Sequence, residues 1–233
     1  MQLSLRLKTV ADSVTAGNRV ADVGCDHAYI AIHLAENNIA PRVVAMDVNK
    51  GPLSKARENI ETRGLKDRIE TRLSDGLARL NPGEADTVVI AGMGGALMVR
   101  ILTEGESALK EVKELILQPQ SEVFLVRRHL HANGYRIESE KMVKEEDKYY
   151  IIIKAQKDSA EETYEHELFY VYGKQLLESG SPLVEEYLRR EERLKEQVEE
   201  SLRGTDTAGS NKRLEEIQRD LALIHAALDY FKN

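Results

Sequence analysis

Between residues 19 and 157 short apolar runs alternate with segments of helical periodicity, and that alternation leaves few architectures open. RVADVG, RVVAMDV, RIETRLSD, DTVVIAGM and ELILQPQ each read as a short buried strand, separated by helical patterns such as Pro52 to Arg63 and Gly95 to Leu102. A strand covered on both faces shows a near-continuous apolar run, and strands joined through helices pair in parallel because the crossover returns the chain to the same end of the sheet. The helix-like stretch SEVFLVRRHLHANG is followed by YRIESEKMV and KYYIIIKAQ, two strands joined by the charged turn KEED. They predict an antiparallel hairpin closing a parallel sheet with helices on both faces.

The net charge of −7 is unevenly spread. Residues 158–233 hold 10 Lys+Arg against 18 Asp+Glu, so the tail carries −8 and residues 1–157 carry +1. Such asymmetry predicts two modules, and the polar stretch KDSAEET places the boundary between a domain at 1–157 and another at 158–233. The tail reads as helical throughout. Leu214, Ile217, Leu221, Ile224, Leu228 and Phe231 alternate in steps of three and four, the seam of a coiled coil. Val184, Leu188, Leu194, Val198 and Leu202 make a looser stripe on the preceding helix, with RGTDTAGS as the loop between. An antiparallel helical hairpin is expected, the alternative being a stripe that packs on the first domain. The lone Cys25 allows no internal disulfide, MQLSLRLKTVADSV lacks the apolar run of a secretion signal, and no stretch is long enough to span a bilayer. A cytoplasmic protein is expected.

The strand ends carry the chemistry. Dinucleotide-binding loops need bare backbone where the pyrophosphate meets a helix N-terminus, but after Gly24 this chain places Asp26, which repels a phosphate. S-adenosylmethionine has no phosphate and carries a sulfonium and an ammonium, so a carboxylate suits it. Asp22 can orient the loop or the methionine end, although either aspartate could instead cap the next helix. The second strand ends in Asp47, beside Val48, where Rossmann-like folds place an acid on a ribose. Asn49 is available as the cap of the following helix, which frees Asp47 for a ligand. Asp75 is placed to accept from an adenine amino group, with Gly76 giving the ring room. Gly92, Met93 and Gly94 end the fourth strand, where exposed backbone and an adaptable Met93 wall suit an acceptor. All these positions fall at the carboxyl ends of the strands, where parallel sheets bind ligands.

DVGCDHAY, with RLKTVADSV before it and AMDVN, SDGL, AGMGG and LQPQ after it, resembles the bacterial tRNA (adenine-N1)-methyltransferases that modify position 22 of tRNA. The resemblance covers the whole chain. It implies a Rossmann-like class I methyltransferase sheet, S-adenosylmethionine as cofactor, tRNA as partner and a C-terminal coiled-coil domain concerned with tRNA recognition. Gly24, Asp26, Asp47, Asp75 and Gly92 to Gly94 match its cofactor-loop positions, and Cys25 stands where relatives carry threonine.

Adenine N1 lies on the Watson–Crick edge and is reachable only in an unpaired base turned out of its stack. Its lone pair needs no activated nucleophile, so alignment supplies much of the catalysis. Asp26 is the candidate to stabilise the cationic product or take an N6 proton, with Tyr29 and Met93 also at the reacting centre and His27 able to stack on the base. Arg6, Lys8, Arg127, Arg128, Arg189, Arg190 and Arg193 are available to the tRNA backbone. No Cys/His cluster has metal-ligand spacing, and neither a Ser/His/Asp pattern nor a P-loop is visible. A monomer is expected. The alternatives are a methyltransferase of small molecules or proteins with a dimerising tail, and a noncatalytic RNA-binding adaptor.

Overall fold

The computed structural model describes residues 3–158, 163–203 and 208–232. It forms two compact units, Met1–Thr163 and Tyr164–Asn233. Most of KDSAEET falls on residues 159–162, outside the described residues.

The first unit contains strands β1 Val20–Val23, β2 Val43–Asp47, β3 Ile69–Leu73, β4 Thr87–Met93, β5 Glu114–Pro119, β6 Tyr135–Glu145 and β7 Lys148–Lys157. Its helices are α1 Leu5–Ala11, α2 Tyr29–Glu36, α3 Lys50–Thr62, α4 Gly95–Glu104, α5 Glu106–Leu109 and α6 Val123–Ala132. The strands form one sheet in the order β3-β2-β1-β4-β5-β7-β6. The first five are parallel, and β7 runs antiparallel to both β5 and β6. The hairpin turns through Glu146 and Asp147, both with positive φ (49° and 59°), as a right-twisted two-residue turn requires. Strand order reverses between β1 and β4, which opens a crevice at their carboxyl ends.

Period-two alternation divides the core. Val89 of β4 and Ile116 of β5 join Val10 and Ala11 of α1, Ile30 and Leu34 of α2, and Leu53 and Ile60 of α3 in one apolar cluster. Their strand neighbours Val88, Ile90, Leu115 and Leu117 are also fully buried, as are Met98 of α4 and Val126 and Leu130 of α6, and these two helices pack on each other.

Helix α6 corrects one expectation. Its buried stripe is Val126, Arg127, Leu130 and His131, so Arg127 faces the interior and not a phosphate. Its Nε donates to Glu140 Oε1 of β6 at 2.8 Å, with both side chains out of solvent. Arg128, one residue on and about 100° around the helix, is exposed.

The second unit contains α7 Glu167–Tyr172, α8 Lys174–Glu178, α9 Pro182–Leu202 and α10 Ala208–Leu228. Ala208, Gly209 and Ser210, read above as loop, begin α10, and residues 204–207 lie outside the described residues. The contact of His225 with Glu192, the ion pair Lys195–Asp220 and a hydrogen bond from Gln218 to Glu199 set α9 and α10 antiparallel. Ile217, Leu221, Ile224 and Leu228 are buried as the α10 stripe predicts. The α9 stripe is corrected in its second half. Its face toward α10 passes through Glu192, Lys195 and Glu199, leaving Leu194 and Val198 exposed at 46% and 39%. Among the described residues, no helix is long and apolar enough to cross a membrane.

Candidate active site

A cavity of about 440 Å³ opens at the carboxyl ends of β1 to β5, within the size range of small-molecule sites. Asp22, Gly24, Asp26, Tyr29, Asp47, Val48, Asp75, Gly76, Gly92 and Met93 all line it, joined from α1 by Arg6.

The loop after β1 is built from left-handed backbone: Gly24 has φ 73°, Asp26 49° and Ala28 61°. A Cβ on Gly24 would lie 2.2 Å from Met93 Cε, the tip of a flexible side chain that could shift, so it is the positive φ that calls for glycine here. Aspartate tolerates this conformation better than most residues, whereas Ala28 is held there at a cost of about 1–3 kcal/mol. Ala28 is the N-cap of α2, with no side-chain cap bond. The capping reading of Asp26 therefore fails, and its carboxylate is 65% exposed beside the cavity, 3.6 Å from His27 Nε2.

Asp47 is nearly buried, and its two oxygens are divided between two loops. Oδ1 accepts from Asn49 N at 2.7 Å and Oδ2 from Asp26 N at 3.2 Å. A carboxylate has about four lone-pair sites, so two remain for ligand hydroxyls. Asn49 makes no side-chain cap bond at the start of α3. Asp22 is buried on the cavity wall, and its Oδ2 has no hydrogen-bond partner. Burial pushes its carboxyl up to about 7; the Ala31 N–H opposes the rise and the Asp47 charge adds to it. A cationic group beside it would favour the ionised form. Burial also pushes the Cys25 thiol up, so Cys25 acts as a small neutral hydrophobe. Asp75 stands at the rim, 3.9 Å from Arg100 of α4.

On the opposite side, a register shift in the β4–β5 ladder between Ala91 and Met93 frees Gly92, which has φ 82°. A Cβ there would point between Arg6 Nη1 and Gln120 Nε2, 3.7 Å from each. Arg6 donates to Gln118 Oε1 at 2.8 Å and lies 5.3 Å from the Tyr150 ring centroid.

Several expected site residues lie elsewhere. Gly94 is off the cavity wall as the N-cap of α4, where a Cβ would meet Ser121 Oγ at 3.1 Å. His27 flanks the cavity without lining it, its ring 5.4 Å from that of Tyr29. Lys8 is about 200° around α1 from Arg6 and pairs with Asp12 on the exposed side. Arg189 pairs with Glu185, and Arg189, Arg190 and Arg193 are exposed. The sequence assigned no role to Gln120 or Arg100 on the cavity wall, and it marked Asn49, also on the wall, only as a helix cap. Gln120 had a signal in LQPQ, whereas Arg100 reads as an ordinary solvated helix charge.

Four carboxylates and an orphaned oxygen in a cleft suited to hydroxyls and cations, on a seven-stranded sheet with an antiparallel β7, define an S-adenosylmethionine-dependent methyltransferase. Residues 3–153 match the family profile described as Methyltransferase domain. The tRNA (adenine(22)-N(1))-methyltransferase of Bacillus subtilis is 36% identical over 71% of this chain and 69% of its own length. A Streptococcus pneumoniae protein in complex with S-adenosyl-L-methionine superposes with a TM-score of 0.85 at 31% identity, covering 97% of this chain and 100% of that one. M. capricolum TrmK, in complex with S-adenosyl-homocysteine, gives 0.86 at 28% identity, with 100% of both chains covered. The chain belongs to the tRNA (adenine(22)-N(1))-methyltransferase family.

Asp47→Ala is expected to weaken S-adenosylmethionine binding by about 1.5–3 kcal/mol, the scale of a lost charge-assisted hydrogen bond. Calorimetric titration, with the thermal midpoint as a check on folding, measures it. Unchanged affinity would remove Asp47 from the ligand.

Proposed function

We propose that this cytoplasmic protein methylates N1 of the adenine at position 22 of tRNA, using S-adenosylmethionine. The observation that carries the reading is that the matched stretch, residues 3–153, contains every residue lining the cavity. The cofactor supplies an electrophilic methyl group: the N1 lone pair forms the new N–C bond as the S–C bond breaks, its electrons staying on sulfur, which leaves cationic N1-methyladenine and a neutral thioether.

Asp22, Gly24, Asp26, Asp47, Val48, Asp75, Gly76, Gly92 and Met93 would hold the cofactor. Asp47 offers its free lone pairs to the ribose, and Asp22 offers its orphaned oxygen to the positive methionine end. Tyr29 and Met93 wall the base, and Asp26 stabilises the developing positive charge or takes an N6 proton. Arg6, Lys8, His27, Arg128, Arg189, Arg190 and Arg193 serve RNA binding; Arg127 does not. The chain acts as a monomer, with a cofactor domain at 1–157 and a helical domain at 158–233. In the latter, α9 and α10 form an antiparallel coiled coil that aids tRNA capture.

Incubation with labelled cofactor and bulk unmodified tRNA, followed by mapping of reverse-transcription stops, tests this. A methyl group on N1 blocks Watson–Crick pairing, so a new stop at adenine 22 is expected. Modification elsewhere, or none, would overturn the reading. In a tRNA-binding titration at several salt concentrations, Arg189, Arg190 and Arg193 changed together to glutamine should weaken tRNA binding and flatten its salt dependence; an unchanged salt slope would take the tail out of the contact.

A further inference from the structure

We propose that Gln120 is the specificity-determining residue of the acceptor side, selecting adenine by a paired hydrogen bond to its Hoogsteen edge. This rests on the activity proposed above. Gln120 directly follows β5, and its N–H donates to the Met93 carbonyl at 2.9 Å, which fixes its backbone beside the β4 end. Its side-chain amide reaches Gly92, across Met93 from the carboxylates of β1 and β2. Gln118, two residues earlier, is fully buried and already engaged, accepting from Arg6 and donating to the Pro119 carbonyl. Gln120 is exposed on the cavity wall, and among the described residues its amide makes no hydrogen bond.

A glutamine amide offers one acceptor and two donors in a plane. Adenine matches it on two edges. On the Watson–Crick edge the amide would occupy N1, the atom that must receive the methyl group. On the Hoogsteen edge it accepts from N6–H and donates to N7, which leaves the N1 lone pair free. The second N6 hydrogen, on the N1 side, stays available to a carboxylate such as Asp26. Guanine offers acceptors at both O6 and N7, so an amide in this orientation loses one bond and sets its oxygen against O6. The same side chain therefore leaves the reacting atom free and rejects the other purine.

The experiment compares tRNA carrying adenosine or 7-deazaadenosine at position 22 as substrate for the wild-type enzyme, Gln120→Ala and Gln120→Glu. Replacing N7 by carbon deletes one acceptor and leaves N1 and N6 in place. The wild type should lose roughly tenfold in kcat/KM on the 7-deaza substrate, the scale of a lost base-edge hydrogen bond. That penalty should vanish in Gln120→Ala and also in Gln120→Glu, whose carboxylate accepts from N6–H but cannot donate to N7. Equal cofactor affinity in all three proteins checks the fold, and a merely structural role for Gln120 would not erase a substrate-atom effect. A penalty that persists in Gln120→Ala, or is absent in the wild type, overturns the assignment while leaving the proposed activity standing. A wild type inactive on the adenosine substrate overturns the activity itself, and this inference with it.

Discussion

Asp26→Asn should bind tRNA and fold normally yet methylate in a single turnover roughly 10²-fold more slowly, the usual scale for a lost acid–base group. The substitution is clean for four reasons visible in the structure. Asp26 caps no helix, since α2 starts from Ala28 without a side-chain bond. Asparagine adopts the left-handed backbone of position 26 (φ 49°) as readily as aspartate. The contact with His27 is long at 3.6 Å and solvent-exposed, so its loss costs little. The backbone N–H of residue 26, which Asp47 Oδ2 accepts, is unchanged by the substitution. What remains to be lost is the negative charge on the cavity wall, which the proposed mechanism places near the base. A rate equal to wild type at saturating cofactor would remove Asp26 from the chemistry and direct attention to Tyr29 and the backbone around Met93. A drop confined to cofactor affinity would make it a binding residue.

The second large effect falls on stability. Arg127→Ala strands the Glu140 carboxylate, which burial already holds above its ordinary range and which Arg127 pulls down. Breaking a buried pair from one side costs about 3–5 kcal/mol, or roughly 6–20 °C in the midpoint of a transition of this size. Thermal unfolding followed by circular dichroism measures it. Exchanging both partners, Arg127→Met with Glu140→Leu, should restore most of the loss, because two apolar side chains leave no buried charge behind. A stable Arg127→Ala protein with reduced tRNA affinity would return Arg127 to the RNA surface.

The contrast between these two residues shows where local information ends. The position of Asp47 was legible in the chain, because the apolar run VVAM stops at that acid, and Asp22 and Asp75 were legible as acids within one or two residues of a strand end. The parallel sheet and its closing hairpin followed from the same periodicity. Asp26 was legible as an anomaly, a carboxylate where a phosphate-binding loop needs bare backbone. The choice between cap and ligand was not, because it depends on whether a side-chain oxygen meets an α2 N–H: Asp22 meets that of Ala31, and Asp26 meets none.

By itself, then, the sequence determined the order of elements, the edge of the sheet that holds the site and the acids that face it, since each follows from patterns within one strand or helix. The tertiary structure decided how each helix is rotated about its axis. Arg127 and Arg128 are adjacent charges, yet the 100° between them puts one in the core against Glu140 and the other in solvent. Arg6 and Lys8 separate in the same way, as do Lys195 on the α10 side of α9 and Leu194, left exposed next to it. The folded chain also brought Gln120, just after β5, against Gly92 of β4. Such pairings join segments far apart in the chain, and their geometry exists only once the sheet has formed.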